Sequence, residues 1–237
     1  MKLIIKFPTR NRPSKFKPLL EKYINLLSGN HDVRFIITCD QDDETMNNQE
    51  TKLWFEHLKE KSNLEVFYGN SKSKVEAVNA NLEKAIGDVL LVVSDDMVPI
   101  MQGYDDMIAQ AFDQIFPNYD GAIKFHDGLR PDNLMTLPCL GWKLYEAFGY
   151  IYHPDYESLY CDNEQTKVCM ALNKLAVSDI CIIQHQWVPG NHETADELHK
   201  RNESFYIKDG IIFENRMKNN FDYDAIQNKL NLCLKEI

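Results

Sequence analysis

The sequence lacks the long apolar runs of a membrane protein. No segment approaches the roughly 18 consecutive apolar residues that a spanning helix needs. The opening stretch, MKLIIKFPTRNRP, turns polar too soon to form the apolar core of a signal peptide. We therefore expect a cytoplasmic protein without a transmembrane segment.

Basic residues are outnumbered by acidic ones. The chain has 26 lysines and arginines against 36 aspartates and glutamates, which gives a formal net charge of −10. Nucleic-acid-binding proteins usually carry a basic stripe, so this balance does not favour a nucleic-acid partner. An anionic ligand would need a metal cation or a local cluster of basic side chains.

The cysteines show no C-x-x-C spacing, and several lie in apolar segments. This pattern favours reduced thiols in the core over disulfides or a zinc site. The six residues are Cys39, Cys139, Cys161, Cys169, Cys181 and Cys233.

Short apolar runs alternate with helical patterns through the first hundred residues. In the segment 73–87, Val75, Val78, Leu82 and Ala85 would share one face of a helix. The alternation implies an α/β fold with a mostly parallel sheet covered by helices, and the length suits a single domain. The spacing predicts strands over 2–7, 32–39, 64–69 and 88–93 and helices over 14–29, 48–61 and 73–87.

Two adjacent carboxylates, Asp95 and Asp96, follow the apolar run 89–93. Parallel sheets bind ligands beyond the carboxyl ends of their strands, which is where this pair would lie. Bare charges at the end of a buried strand need a cation, a hydrogen-bond donor or solvent. A ligand site and a solvated turn are both compatible with the pattern.

The segment 72–99, KSKVEAVNANLEKAIGDVLLVVSDDMVP, resembles the signature of family 2 glycosyltransferases of the GT-A fold. Asn79, Ala85, Gly87 and Asp88 fall at the spacing of that pattern, and Ser94 replaces the first acid of the common Asp-x-Asp motif. The resemblance implies a Rossmann-like GT-A domain in which Asn79 and Asp95 belong to the nucleotide site. It also implies that Asp95 approaches the ribose and that Asp96 ligates Mn²⁺ or Mg²⁺.

Further landmarks of the family occur in the expected order. The loop FPTRNRP resembles the segment that lines the nucleotide base, and CDQDDET resembles the acidic loop that follows the second strand. The resemblance implies that the donor contacts Pro8, Thr9, Arg10, Asp40 and Lys74.

The second half of the chain is similar to the acceptor half of the family. There Asp162 matches the catalytic base, although Cys161 replaces the usual Glu before it, and His185 matches a histidine that some members give to the metal. Each residue has another interpretation. Asp162 is also a good N-cap for the helix that follows, His185 alternates with apolar neighbours as a buried residue would, and Asp40 suits a turn.

The resemblance divides the domain, residues 1–237, into a nucleotide-sugar half over 1–98, an acceptor half over 99–190 and a C-terminal loop with helices over 191–237. A structural brace is the favoured role for these helices, ahead of covering the acceptor or self-association. His192 and Glu193 begin a zinc-protease-like motif, but its second histidine is missing. The break at 189–191 is more typical of a loop near the active site.

The resemblance implies a metal-dependent, inverting glycosyltransferase. Its donor would be a nucleoside-diphosphate sugar, with UDP the expected nucleotide, and its acceptor a saccharide or another hydroxyl compound. A nucleotidyltransferase of related fold is one alternative, although PTRNRP replaces the Gly-rich loop expected after its first strand. A nucleotide-sugar-binding module without activity is the other.

Overall fold

The predicted strands of the first hundred residues form one side of a seven-stranded sheet with the order β3-β2-β1-β4-β7-β6-β8. A computed structural model of the chain describes residues 1–129, 132–186, 201 and 203–234. The first four strands are parallel to one another. They are β1 (Lys2–Pro8), β2 (Asp32–Asp40), β3 (Asn63–Gly69) and β4 (Val89–Val92). The mostly parallel α/β sheet predicted from the sequence is thus confirmed.

Short strands of the second half complete the sheet. Strand β7 is antiparallel to both β4 and β6, whereas β8 is parallel to β6. A separate antiparallel pair joins β5 to β9. The strands are β5 (Met97–Pro99), β6 (Ala122–Phe125), β7 (Cys139–Gly141), β8 (Leu175–Ser178) and β9 (Ile183–His185). The β5–β9 pair is important for the site because it sets Met97 opposite His185.

Helices cover both faces of the sheet. Side chains of α1, α2 and α4 pack on the face that carries Leu3, Ile5 and Phe7. Side chains of α3, α5 and α6 pack on the opposite face, which carries Ile4 and Leu90, or beside it, where α8 joins them. The helices are α1 (Pro13–Asn25), α2 (Gln49–Lys59), α3 (Lys74–Asn79), α4 (Tyr104–Ile115), α5 (Trp142–Phe148), α6 (Cys161–Ala171), α7 (Tyr206–Lys218) and α8 (Tyr223–Cys233), with a 3₁₀ turn at Asn220–Asp222.

Helix α3 is shorter than the predicted helix over 73–87. Ser73 begins it as an N-cap, accepting a hydrogen bond from the Glu76 N–H at 3.1 Å. It ends at Asn79 because Ala80 is extended and Asn81 has a φ of 65°. The Ala80 carbonyl accepts a hydrogen bond from Lys6 Nζ at 2.7 Å instead of continuing the helix. Tertiary hydrogen bonding thus overrides the helical pattern.

Gly87 and Asp88, which match the family pattern, precede β4 and contact the beginning of β1. A Cβ at Gly87 would lie 2.8 Å from Ile4 Cγ1, so only glycine fits without a shift. The Asp88 carboxylate accepts a hydrogen bond from the Lys2 N–H at 2.6 Å. Both residues therefore act on strand packing.

All six cysteines are free, and four of them are buried, as the sequence predicts. Among the residues that the structure describes, no helix has the length and hydropathy that crossing a bilayer would require.

Candidate active site

A cavity of about 900 Å³ opens at the carboxyl ends of β1, β2 and β4. This is the edge at which parallel sheets bind ligands. Most residues singled out from the sequence line it together. They are Pro8, Thr9, Arg10, Asp40, Lys74, Asp95, Asp96, Asp162 and His185.

Asp95 is buried at the cavity, with only 8% of its surface exposed. The Thr9 hydroxyl donates to its Oδ2 at 3.3 Å, but its buried Oδ1 has no hydrogen-bond partner among the described residues. Burial raises the pKa of Asp95 to about 7. A buried carboxylate oxygen without a donor is costly unless a ligand satisfies it. Asp95 is therefore suited to accept a hydrogen bond from a hydroxyl group or to face a cation.

Asp96 lies against His185, which β9 brings beside it. His185 Nε2 is 3.4 Å from Asp96 Oδ2, and the Ser94 hydroxyl donates to Oδ1 of the same carboxylate. Burial alone would raise the pKa of Asp96, but the contacts with His185 and Ser94 lower it below its ordinary value. Ser94, which departs from the common motif, thus supports the carboxylate that follows it.

The Asp96–His185 pair fits a divalent ion. Carboxylate oxygen and imidazole nitrogen are both ligands for Mn²⁺, and Mg²⁺ often takes one carboxylate with waters and phosphates. Adjacent ligands about 2.1 Å from an octahedral ion are about 3 Å apart, which is close to the observed 3.4 Å. His185 is only partly buried and lines the cavity, so its place is compatible with metal binding.

Arg10 links the first-strand loop to the acidic loop after β2. Its guanidinium forms ion pairs with Asp40 at 2.7 Å and with Asp42 at 2.6 Å. Asp40 also accepts a hydrogen bond from the Ser71 N–H at 3.1 Å. Asp43, in contrast, is buried and accepts from the Asn11 N–H, so it holds the loop. The loop is therefore fixed by specific ion pairs and hydrogen bonds.

Asn79 does not line the cavity. Its amide donates to the Tyr152 carbonyl at 2.7 Å, and its oxygen accepts from the backbone of Ile151 and Tyr152 at 2.9 and 3.0 Å. The structure therefore places Asn79 behind Tyr152, which does line the cavity. Its contacts position a wall of the site.

Asp162 lies in the first turn of α6, on the cavity. The N-cap of this helix is Tyr160, so the interpretation of Asp162 as the N-cap was wrong. Its Oδ1 accepts a hydrogen bond from the Asn163 N–H at 2.9 Å. The carboxylate shares a cavity with Asp95 and Asp96 although it comes from another part of the fold.

Several residues that line the cavity were not predicted from the sequence. Helix α7 contributes Tyr206, and the residues before it contribute Arg201 and Glu203. The C-terminal segment therefore covers part of the cavity in addition to bracing the fold. The apolar spacing of Tyr206 and Phe213 on one helical face was the available signal. Other missed residues are Thr38, Ser71, Tyr152, Ser158, Leu159 and Tyr160.

A second group of possible metal ligands, His31, Asp105 and Asp106, lies away from this cavity. His31 precedes β2, at the opposite edge of the sheet, and Asp105 is already hydrogen-bonded to Ser28. His192, Glu193, His199 and the break at 189–191 lie outside the described residues.

No family model matches the sequence, and a search of curated proteins found no match.

Solved glycosyltransferases share the fold at low sequence identity. S. aureus TarS 1–349 gives a TM-score of 0.62 at 17% identity, covering 78% of this chain and 60% of its own. The mannosyltransferase PcManGT from Pyrobaculum calidifontis, in complex with GDP-Man and Mn²⁺, gives a TM-score of 0.64 at 13% identity. The match covers 99% of this chain and 74% of PcManGT. Glucosyl-3-phosphoglycerate synthase from Mycobacterium tuberculosis, in complex with Mn²⁺, UDP and phosphoglyceric acid, gives a TM-score of 0.57 at 10% identity, and the match covers 87% of this chain and 78% of the synthase.

The chain thus spans about 60% of the length of TarS 1–349. The superposition extends over 78–99% of this chain with TM-scores of 0.57–0.64. The chain therefore has the GT-A fold.

Proposed function

We propose that this chain is a glycosyltransferase that moves a sugar from a nucleoside-diphosphate sugar to a hydroxyl acceptor with the help of a divalent ion. The observation that carries the proposal is one cavity that holds the unpaired Oδ1 of Asp95, the Asp96–His185 pair and, from another element, Asp162. A metal-dependent, inverting glycosyl transfer uses these three parts: donor contacts, an ion site and a base. The complexes of neighbours with UDP-GlcNAc and with GDP-Man and Mn²⁺ support this assignment.

Donor binding is assigned to the carboxyl ends of β1 and β2 and the start of α3. Arg10 pairs with Asp40 and Asp42 and offsets one of their two negative charges, which lowers the negative charge that an anionic donor would meet. Lys74, on the cavity, adds a positive charge for the diphosphate. The unpaired oxygen of Asp95 accepts a hydrogen bond from a ribose hydroxyl. The nucleobase of the donor lies near Pro8, Thr9 and Asp40. UDP is the proposed nucleotide.

The ion site is assigned to Asp96 and His185, and Mn²⁺ and Mg²⁺ both suit it. A divalent ion bound there would neutralise the charge that develops on the diphosphate leaving group. Ser94 holds the Asp96 carboxylate by a hydrogen bond, and β9 holds His185 beside it. These contacts orient both ligands before an ion arrives.

Asp162 is assigned as the base of an inverting reaction. Its carboxylate would remove the proton from the acceptor hydroxyl, an effect worth roughly 10²- to 10⁴-fold in rate. In this proposal residues 1–98 bind the donor, residues 99–190 supply the base and His185, and residues 191–237 complete the single domain.

Product analysis tests the proposal. The chain is incubated with UDP-glucose, UDP-GlcNAc or GDP-mannose and a mixture of disaccharide acceptors, with and without Mn²⁺, and in parallel with UTP or GTP and a sugar 1-phosphate. The released phosphates are separated by anion exchange. Ion-dependent release of nucleoside diphosphate from a sugar nucleotide supports glycosyl transfer. Release of pyrophosphate from the nucleoside triphosphate would identify a nucleotidyltransferase instead, and ion-dependent nucleotide binding without any release would identify a binding module.

A further inference from the structure

Tyr160 and Tyr206 form a pair of aromatic rings on the wall of the cavity. Their ring centroids lie 5.4 Å apart, and both residues line the cavity together with Asp162. Tyr206 is 61% exposed. A single exposed ring is ordinary on a protein surface. This pair differs because contacts from α7 fix both the backbone and the ring of Tyr160.

The backbone of Tyr160 is held in a strained conformation. Its φ is 62°, a left-handed value that costs roughly 1–3 kcal/mol for a bulky residue and persists only where the surroundings impose it. The surroundings here include the fully buried carboxylate of Asp209. It accepts hydrogen bonds from the backbone N–H groups of Glu157, Ser158 and Leu159 at 3.1, 2.8 and 2.8 Å. Helix α7 therefore fixes the segment that leads into Tyr160.

The same helix, α7, packs against the Tyr160 ring. Tyr206, Gly210 and Phe213 are spaced so that they share one face of α7. The Phe213 ring centroid lies 5.6 Å from that of Tyr160, and a Cβ added at Gly210 would lie 3.6 Å from the Tyr160 ring. That distance is an ordinary van der Waals contact, so the Tyr160 ring packs directly against α7 at Gly210.

We propose that Tyr160 and Tyr206 bind one sugar ring of a saccharide acceptor. This inference rests on the proposed function, because it takes Asp162 as the base that meets the acceptor. The face of an aromatic ring carries partial negative charge, so it attracts the C–H groups on the flat face of a sugar. The hydroxyls at the edge of that sugar would remain free to reach Asp162, which follows Tyr160 by two positions.

Charge on this wall agrees with a neutral acceptor. Glu157 is paired with Lys208, so it adds little to the charge that a ligand meets. The cavity lining beside the two rings includes the carboxylates of Asp162 and Glu203 and the guanidinium of Arg201. An acceptor that carried a phosphate or carboxylate beside Asp162 would meet like charge. A saccharide offers hydroxyl donors to the carboxylate and an apolar face to the rings.

Ligand-observed NMR on the full chain tests whether the Tyr160 and Tyr206 rings, together called the platform below, bind a sugar ring. Saturation transfer is recorded for cellobiose, maltose, mannobiose and chitobiose, with 3-phosphoglycerate as an anionic probe, in the presence of UDP and Mg²⁺. At least one disaccharide is expected to bind through C–H protons of one ring. Tyr206→Leu should weaken that binding roughly three- to tenfold, and Tyr206→Phe should preserve it because the aromatic face remains. The neighbouring Ile207, which is exposed and does not line the cavity, gives the control Ile207→Ala.

The result that overturns the platform differs from the one that overturns the proposed function. Calorimetry of UDP on the same samples measures donor binding separately. If UDP binds but no disaccharide does, if 3-phosphoglycerate alone binds, or if Tyr206→Leu weakens UDP equally, the platform is refuted. If a disaccharide binds through Tyr206 and UDP does not bind at all, the platform stands and the donor assignment fails.

Discussion

Arg216 of α7 forms two parallel hydrogen bonds with Glu164 of α6, from Nε to Oε2 and from Nη2 to Oε1, both at 2.8 Å. Glu164 is almost fully buried and also accepts from the Tyr156 hydroxyl at 2.7 Å. This ion pair, with its two parallel hydrogen bonds, joins α7 to α6, the helix that carries Asp162. Two predictions, on stability and on the base, depend on this relationship.

Removing the guanidinium should destabilise the fold. Arg216→Ala would leave the buried Glu164 carboxylate without its cation, at a cost of about 3–5 kcal/mol in the free energy of unfolding. Urea denaturation followed by circular dichroism measures the change. Lys218→Ala, on the same helix, is the matched control and should change stability by less than about 0.5 kcal/mol. Equal stability of Arg216→Ala and Lys218→Ala would show that the Arg216–Glu164 ion pair does not stabilise the fold.

Asp96→Ala should abolish the ion-dependent part of UDP binding and leave the fold intact, because the carboxylate faces the cavity. Titration calorimetry with UDP, with and without Mn²⁺, measures this. Asp106→Ala is the matched control, since Asp106 belongs to the ligand group outside the cavity. Loss of the ion effect in Asp106→Ala and its survival in Asp96→Ala would move the metal site away from the cavity.

His185→Ala separates metal binding from packing. If the imidazole ligates the ion, affinity for Mn²⁺ in the presence of UDP should fall by at least about tenfold, with only a small change in melting temperature. His153→Ala is a control, because His153 is similarly buried but lies off the cavity. A large drop in melting temperature with unchanged Mn²⁺ affinity would make His185 a core residue.

Asp162→Asn should lower turnover by about two to four orders of magnitude and preserve donor affinity. The amide has the size of the carboxylate but cannot take the acceptor proton. Since Tyr160 is the N-cap of α6, the substitution removes no cap. Steady-state kinetics and UDP calorimetry measure the two effects. Arg216 pairs with Glu164 and also lies 3.9 Å from Asp155, and neither carboxylate lines the cavity. Normal turnover of Asp162→Asn would therefore refute the assignment of a carboxylate base on this side of the site.

Stability should rise with pH because of Lys6, which is fully buried beneath α3. Burial lowers its pKa from 10.5 to about 7, although Glu83 partly opposes the shift. Below pH 7 the side chain is charged in both states and the full cost of burying the charge is present. Between pH 7 and 10.5 the folded state loses the proton first, so its stability increases.

The variant Lys6→Met should remove this part of the pH dependence. The difference in unfolding free energy between variant and wild type should therefore change steadily from pH 7 to pH 10 in urea titrations. Lys2→Met, on the exposed end of the same strand, is the control. A constant difference across that range would mean that Lys6 keeps an ordinary pKa.

The sequence predicted the first half of the fold better than the second. The strands β1, β2 and β4 are largely apolar and buried on both faces, which is a strong local signal. The strands β5, β7 and β9 have only three residues each, too few for a periodic pattern. Their positions depend on pairing with distant strands. The end of α3 was likewise set by a contact of Ala80 with Lys6, which no local pattern reveals.

The candidate site shows the same division. Asp95 and Asp96 could be found because two charges directly after an apolar strand are unusual. The spacing of Tyr206 and Phe213 indicates a shared helical face but not what that face contacts, and no local pattern places Arg201, which precedes α7, on the cavity. Asn79 matched a spacing pattern, yet its side chain is used to hold Ile151 and Tyr152. Spacing identifies positions that matter, and only contacts distinguish support from ligand binding.

The pairing of β5 with β9 has a consequence for the order in which the chain becomes functional. Asp96 is made early in synthesis and His185 late, and the two meet only when β9 docks on β5. A growing chain can therefore form the strands β1 to β4 while the proposed ion site still lacks His185. If Mn²⁺ or Mg²⁺ binds there as proposed, the ion would stabilise the form in which β9 is docked on β5 over any earlier intermediate.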